Sequence, residues 1–147
     1  MSGLMILRPG LPGVVLAACV MFASPVFAET VSFKADLKAS EEVPPNDSKA
    51  TGTVTATYDT ASKKLTWKGN YSGLTGPATM AHFHGPAEPG KNAGVAVPIT
   101  PSASPFENSA NLTDAQAADL MAGRWYVNVH TAAHPGGEIR GQLAKGM

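Results

Sequence analysis

From Val31 to Ala39 the chain alternates apolar and polar residues without a fault, which predicts a β-strand with one face on a core and one in water. The segment 41–48, with Pro44-Pro45-Asn46-Asp47, breaks the alternation as a loop. A second strand is predicted over about 50–58, rich in threonine and valine, and a turn over 59–63 returns the chain into 65–71. There Leu65, Trp67, Gly69 and Tyr71 share a face, so the two segments form a hairpin.

A turn at 74–77 leads into a fourth strand over 78–84, with Ala81 and Phe83 on one side and Met80, His82 and His84 on the other. Residues 85–94, with two prolines and three glycines, read as a loop, and Pro98 marks 95–99 as a short edge strand. A further loop over 101–110 closes on a short strand. One brief helix is predicted after Thr113, with Gln116 as its capping-box partner, Asp114 at its positive end and Gly123 as its stop. Residues 125–131 form a strand with Trp125, Val127 and Val129 on one face and Tyr126, Asn128 and His130 on the other. A turn over 133–137 feeds a last alternating segment, 138–143. Seven or so short strands and one helical insertion predict an antiparallel sandwich or barrel, with Trp67, Trp125, Phe83 and Tyr71 in its core or rim.

Ahead of this pattern lies a different one. Residues 11–22 form an apolar run preceded by Arg8 and followed by a proline break and Val26-Phe27-Ala28. This is the layout of a secretory signal with cleavage after Ala28, leaving one mature domain over 29–147. The run is too short, and too interrupted by Pro12 and Gly13, for a bilayer span of about 20 apolar residues. Leu16-Ala17-Ala18-Cys19 resembles a bacterial lipoprotein box, an alternative in which Cys19 is lipid-anchored, but Cys19 lies inside the apolar run and not at its polar edge. The expected location is periplasmic or secreted.

Removal of the signal takes away the only cysteine and leaves ten basic against eleven acidic residues. That excludes disulfides, thiolate metal sites and a thiol nucleophile in the mature chain. Near-neutral charge without a basic run gives no footprint for nucleic acid or an anionic membrane.

All four histidines lie in two late segments, at 82 and 84 and at 130 and 134. His82 and His84 stand on one side of a strand, with Cα atoms roughly 6.7 Å apart, close enough for both rings to reach one ion. If the strands ending at His84 and His130 are neighbours, three imidazoles meet and His134 in the next turn supplies a fourth. Imidazole suits zinc, copper, nickel or iron. The absence of thiolate, and Met80 on the same face as a soft thioether, favour copper, with zinc as the alternative. Glu138, Glu88 and Asn128 are candidates to orient the rings, and Arg140 is an anion-orienting group, a surface cation or a partner to Glu138. An isolated histidine on a solvated strand is ordinarily just a polar residue, so the metal reading rests on the grouping. No serine sits on a G-x-S-x-G elbow, and no carboxylate pair is placed on a common substrate by spacing.

Three stretches together resemble the CHRD domain, named for its occurrence in chordin and also found as a stand-alone exported bacterial protein. They are His82-Phe83-His84-Gly85-Pro86-Ala87, the segment from Gly123 to Thr131, and the segment from Pro135 to Leu143, with Ala35-Asp36-Leu37 and Glu41-Glu42-Val43-Pro44-Pro45 as an opening block. The resemblance implies an all-β immunoglobulin-like sandwich, export and a largely uncharacterised function, although in chordin these domains belong to a binding protein; with the pattern above, the expected fold is an antiparallel immunoglobulin-like or Greek-key sandwich of about seven to eight strands with one short helix. The H-x-H strand is also distantly similar to the copper side of copper/zinc superoxide dismutases, although this chain lacks their cysteine pair and zinc loop.

The leading expectation is an exported, non-enzymatic domain holding copper at His82, His84 and His130, with His134 or Met80 completing the site. The alternatives are a metal-free module for protein or cell-envelope partners and a copper-dependent redox enzyme.

Overall fold

The computed structural model describes residues 27–146 and Gly3. The expected signal segment, apart from Gly3, Phe27 and Ala28, lies outside the described residues. The strands run β1 (Thr30–Lys38), β2 (Thr51–Asp59), β3 (Lys64–Ser72), β4 (Ala78–His84), β5 (Val95–Pro98), β6 (Phe106–Asn111), β7 (Tyr126–Thr131), β8 (Ile139–Gln142) and β9 (Ala144–Lys145). A 3-10 turn at Ala39–Glu41 follows β1, and the helix α1 (Asp114–Met121) precedes β7.

Hydrogen bonding joins these strands into one antiparallel sheet in the order β5-β4-β7-β8-β1-β2-β3-β6, with β9 also on β1. The sheet curls almost closed, so that Trp67 of β3 meets Phe83 of β4 edge-on at 5.1 Å between ring centres. Alternation places the inner residues: Phe33, Ala35 and Leu37 from β1, Val54, Ala56 and Tyr58 from β2, Leu65 and Trp67 from β3, and Ala81 and Phe83 from β4 all join one core. Val127 and Val129 of β7 and Ile139 of β8 complete it. The expected all-β antiparallel architecture with one short helix is the observed one.

The helix begins as its sequence requires. Thr113 accepts from the Gln116 backbone and the Gln116 side chain returns the bond to Thr113 N–H. Leu120 is its one buried residue, so this short helix closes an end of the core without forming a layer.

β4, β7 and β8 are adjacent, and their register decides the rest. Met80 lies opposite His130, His82 opposite Asn128, and His84 opposite Tyr126, while Asn128 and Tyr126 face Arg140 and Gln142 of β8. Cross-strand partners share a face. Every residue of β7 is buried, on the outer face as well as the inner one. The loop between β4 and β5 lies over its Tyr126 end, and the turn after β7 covers Asn128 and His130 through the Gly136 and Pro135 carbonyls. Ala93 N–H donates to Tyr126 Oη at 3.2 Å, and Arg140 donates to Asn92 Oδ1 at 2.8 Å and to the Lys91 carbonyl.

Candidate metal centre

Three of the four histidines converge. His82, His84 and His130 each offer a ring nitrogen, and these atoms lie within 4.8 Å of one another. The convergence follows from strand adjacency, since β4 supplies two rings from one side of its pleat and β7 supplies the third from the neighbouring register position.

The closest approach is His82 Nδ1 to His130 Nε2, 3.1 Å. His130 Nδ1 is already committed, lying 2.9 Å from the Pro135 carbonyl, to which it can only donate. That contact puts the proton on Nδ1 and leaves Nε2 with a lone pair turned toward His82. Two nitrogens bound to one tetrahedral ion at about 2.0–2.1 Å stand roughly 3.3 Å apart. The pair therefore needs little rearrangement to share an ion.

His84 is held differently. Its ring stacks on Tyr126, with 4.8 Å between centres and 4° between planes. Nδ1 faces the Ala93 carbonyl at 3.0 Å and Nε2 faces Oδ1 of Asn128 at 2.9 Å. Both partners are acceptors, and a neutral imidazole has one N–H to give. The other nitrogen then points a lone pair at an oxygen, a confrontation that a cation relieves.

Burial favours the neutral rings that a metal requires. It lowers the pKa of His82, helped by the charges His130 and His84 would carry, and lowers that of His84 against the raising effect of its bonds to Ala93 and Asn128. His84 and His130 are buried, whereas His82 is half-buried and opens on a groove that it lines with Met80, Ile99 and Pro101.

The remaining expected residues divide. Met80 is 49% exposed, so its thioether stands on the solvent side of the site. His134 is outside the close set; its backbone closes the turn after β7 by bonding Thr131. Asn128 does touch a ring, as expected, but Glu88 is exposed in the covering loop. Glu138 serves another purpose. It accepts from Ser48 Oγ at 2.6 Å, Thr131 Oγ1 at 2.6 Å, and the amide and hydroxyl of Thr75 at 2.9 and 2.8 Å. Burial alone would push its carboxyl up, yet these donors hold it down at about 2.

Arg140 is neither a surface cation nor bonded to Glu138: it is 2% exposed, and its guanidinium lies 3.4 Å over the Tyr126 ring. Sequence reasoning gave Glu42 no part in the site. It comes from the loop after β1, is 5% exposed, and its Oε1 has no hydrogen-bond partner among the described residues. Burial raises its carboxyl to about 7, opposed by the charge of Arg140, the Asn128 amide and Val43 N–H.

No described helix is long and apolar enough to cross a membrane. Among known proteins, searches of curated sequences and of solved structures gave no match. A family model did: the CHRD domain matches residues 33–143.

Proposed function

The chain belongs to the CHRD family, and we propose that it is an exported, non-catalytic member that binds and handles a copper ion through His82, His84 and His130. The observation that carries this reading is the 3.1 Å approach of His82 Nδ1 to His130 Nε2, made while Pro135 occupies the other nitrogen of His130. Copper is favoured over zinc because divalent copper heads the affinity order for nitrogen donors and because a thioether suits the reduced ion. Met80 is the better candidate for a further ligand, since it pairs with His130 across the strands and lines the groove that His82 opens on. His134, outside the close set, would have to swing in from its turn. Export to the periplasm or beyond is supported by the apolar run and its Val26-Phe27-Ala28 ending.

Competition titration against a chromophoric chelator tests the reading, with Cu(II), Cu(I) and Zn(II) offered separately to untagged protein. One equivalent should bind to the wild type, with copper tighter than zinc, and a His82→Ala/His130→Ala variant should lose at least a hundredfold. A wild type that takes up no more metal than that variant would leave a metal-free module for protein or envelope partners. Metal-dependent superoxide dismutation above the free-ion background, absent from the variant, would replace binding by redox catalysis.

A further inference from the structure

Asn128 presents its oxygen to His84 Nε2, and its NH2 group points the other way, toward the Gly136 carbonyl at a long 3.5 Å and toward the Glu42 carboxyl. On that same side lies Glu42, a buried carboxyl whose Oε1 has no partner among the described residues. An under-used donor therefore stands beside an unused acceptor. The two are brought together at Gly137, whose φ of +127° belongs to glycine. A Cβ there would stand 2.3 Å from Glu42 Oε1 and 2.7 Å from Asn128 Nδ2, so the absent side chain is what lets both groups in.

An amide side chain can rotate by half a turn at almost no steric cost, exchanging its oxygen for its NH2. If Asn128 did so, an N–H donor would face His84 Nε2 and occupy the lone pair that a metal takes. Something must hold the amide in its present sense, and the Gly136 carbonyl at 3.5 Å is a poor hold. We propose that Glu42 is a positioning residue of the histidine site, which retains the Asn128 NH2 and so keeps the Asn128 oxygen, an electron-rich group, turned toward His84 and the incoming cation. Either form of the carboxyl does this, because each keeps a carbonyl oxygen to accept with. This rests on the metal reading above and adds to it the group that orients the site from outside the ligand set.

The test is a double-mutant cycle on Cu(II) affinity, with the thermal midpoint of each metal-free variant as the folding control. Glu42→Met, similar in length and without an acceptor, should weaken binding tenfold to a hundredfold, the range for groups that orient metal ligands. Glu42→Gln, which restores a carbonyl oxygen, should return to within about threefold of wild type, a rescue that loss of packing alone would not give. In an Asn128→Asp background both ends of the side chain are acceptors and orientation no longer matters. There Glu42→Met should have little effect.

A Glu42→Met variant that folds and binds within threefold of wild type overturns the proposal, as does one that weakens binding equally in both backgrounds. Should Glu42→Met fail to fold, Asn128→Leu removes the same oriented amide, and undiminished affinity there overturns the proposal as well. A wild type no better than the His82→Ala/His130→Ala variant would instead defeat the metal reading itself, so the two failures are told apart.

Discussion

The sheet has two outer faces that were built from similar alternation and put to opposite uses. On β1, β2 and β3 the outward residues, among them Lys34, Asp36, Thr57, Thr66 and Lys68, are exposed or half-exposed, and two open depressions there are lined in part by threonine and lysine. On β4, β7 and β8 most outward residues are covered, Tyr126 and Arg140 by the 85–94 loop and Asn128 and His130 by the turn after β7: Asn128, His130 and Arg140 are all under 7% exposed. Burying polar groups costs free energy unless each finds a partner, and a protein concentrates them only where something is gained. The difference teaches where to look. The first face is ordinary solvated sheet; the second is a roofed polar chamber with its half-open side at His82.

The sharpest way to break that contrast is to remove the post under the roof. Arg140→Ala deletes a buried cation that lies on Tyr126 and holds the loop through Asn92 and the Lys91 carbonyl. It should cost about 3–4 kcal/mol in urea unfolding. A loss under about 1 kcal/mol would mean that the loop closes without it.

Next in size is a pair of opposed pH dependences, measured on metal-free protein. Glu138, at about 2 when folded against 4.5 for an ordinary glutamate, contributes stability that is present above about pH 4.5 and lost as pH falls toward 2. Glu42, raised from 4.5 to about 7, works the other way: stability is full below about pH 4.5 and declines as pH rises to about 7. Each effect is on the order of 3 kcal/mol at most. Glu138→Gln should flatten only the acid limb and Glu42→Gln only the limb between 4.5 and 7. A Glu42→Gln protein that keeps the full decline would remove Glu42 as its source.

The smallest effect belongs to the other face. Thr57→Ser on β2 should change unfolding free energy by under about 0.5 kcal/mol, and a change above 1 kcal/mol would show that the threonine face carries more than solvation.

How much of this was legible depended on the range of the interaction. The strand faces, the capped helix after Thr113 and the shared side of His82 and His84 are written in spacings of two to four residues, which the backbone itself imposes. The meeting of His84 with His130 needed β4 beside β7, a non-local pairing that sequence could only suppose. Nothing local could foretell the roof. Alternation says that Asn128, His130 and Arg140 point away from the core, but not that a loop more than thirty residues upstream comes back over Tyr126 and Arg140. Glu42 sits in a proline-rich turn with no periodicity, and its one cue, an acidic residue just before Val43-Pro44-Pro45, is shared by many solvated loops. His134 shows the converse: closeness in sequence to His130 did not bring it into the close set.

Tyr126 lies between two neighbours across the strands, the His84 ring stacked on it and the Arg140 guanidinium over it. A phenol ring gripped in this way turns over only when one of its jaws lets go. The frequency of that turnover, readable by magnetic resonance from the exchange of its two edges, thus serves as a clock for the breathing of the chamber, and an ion that draws His84 aside would reset it.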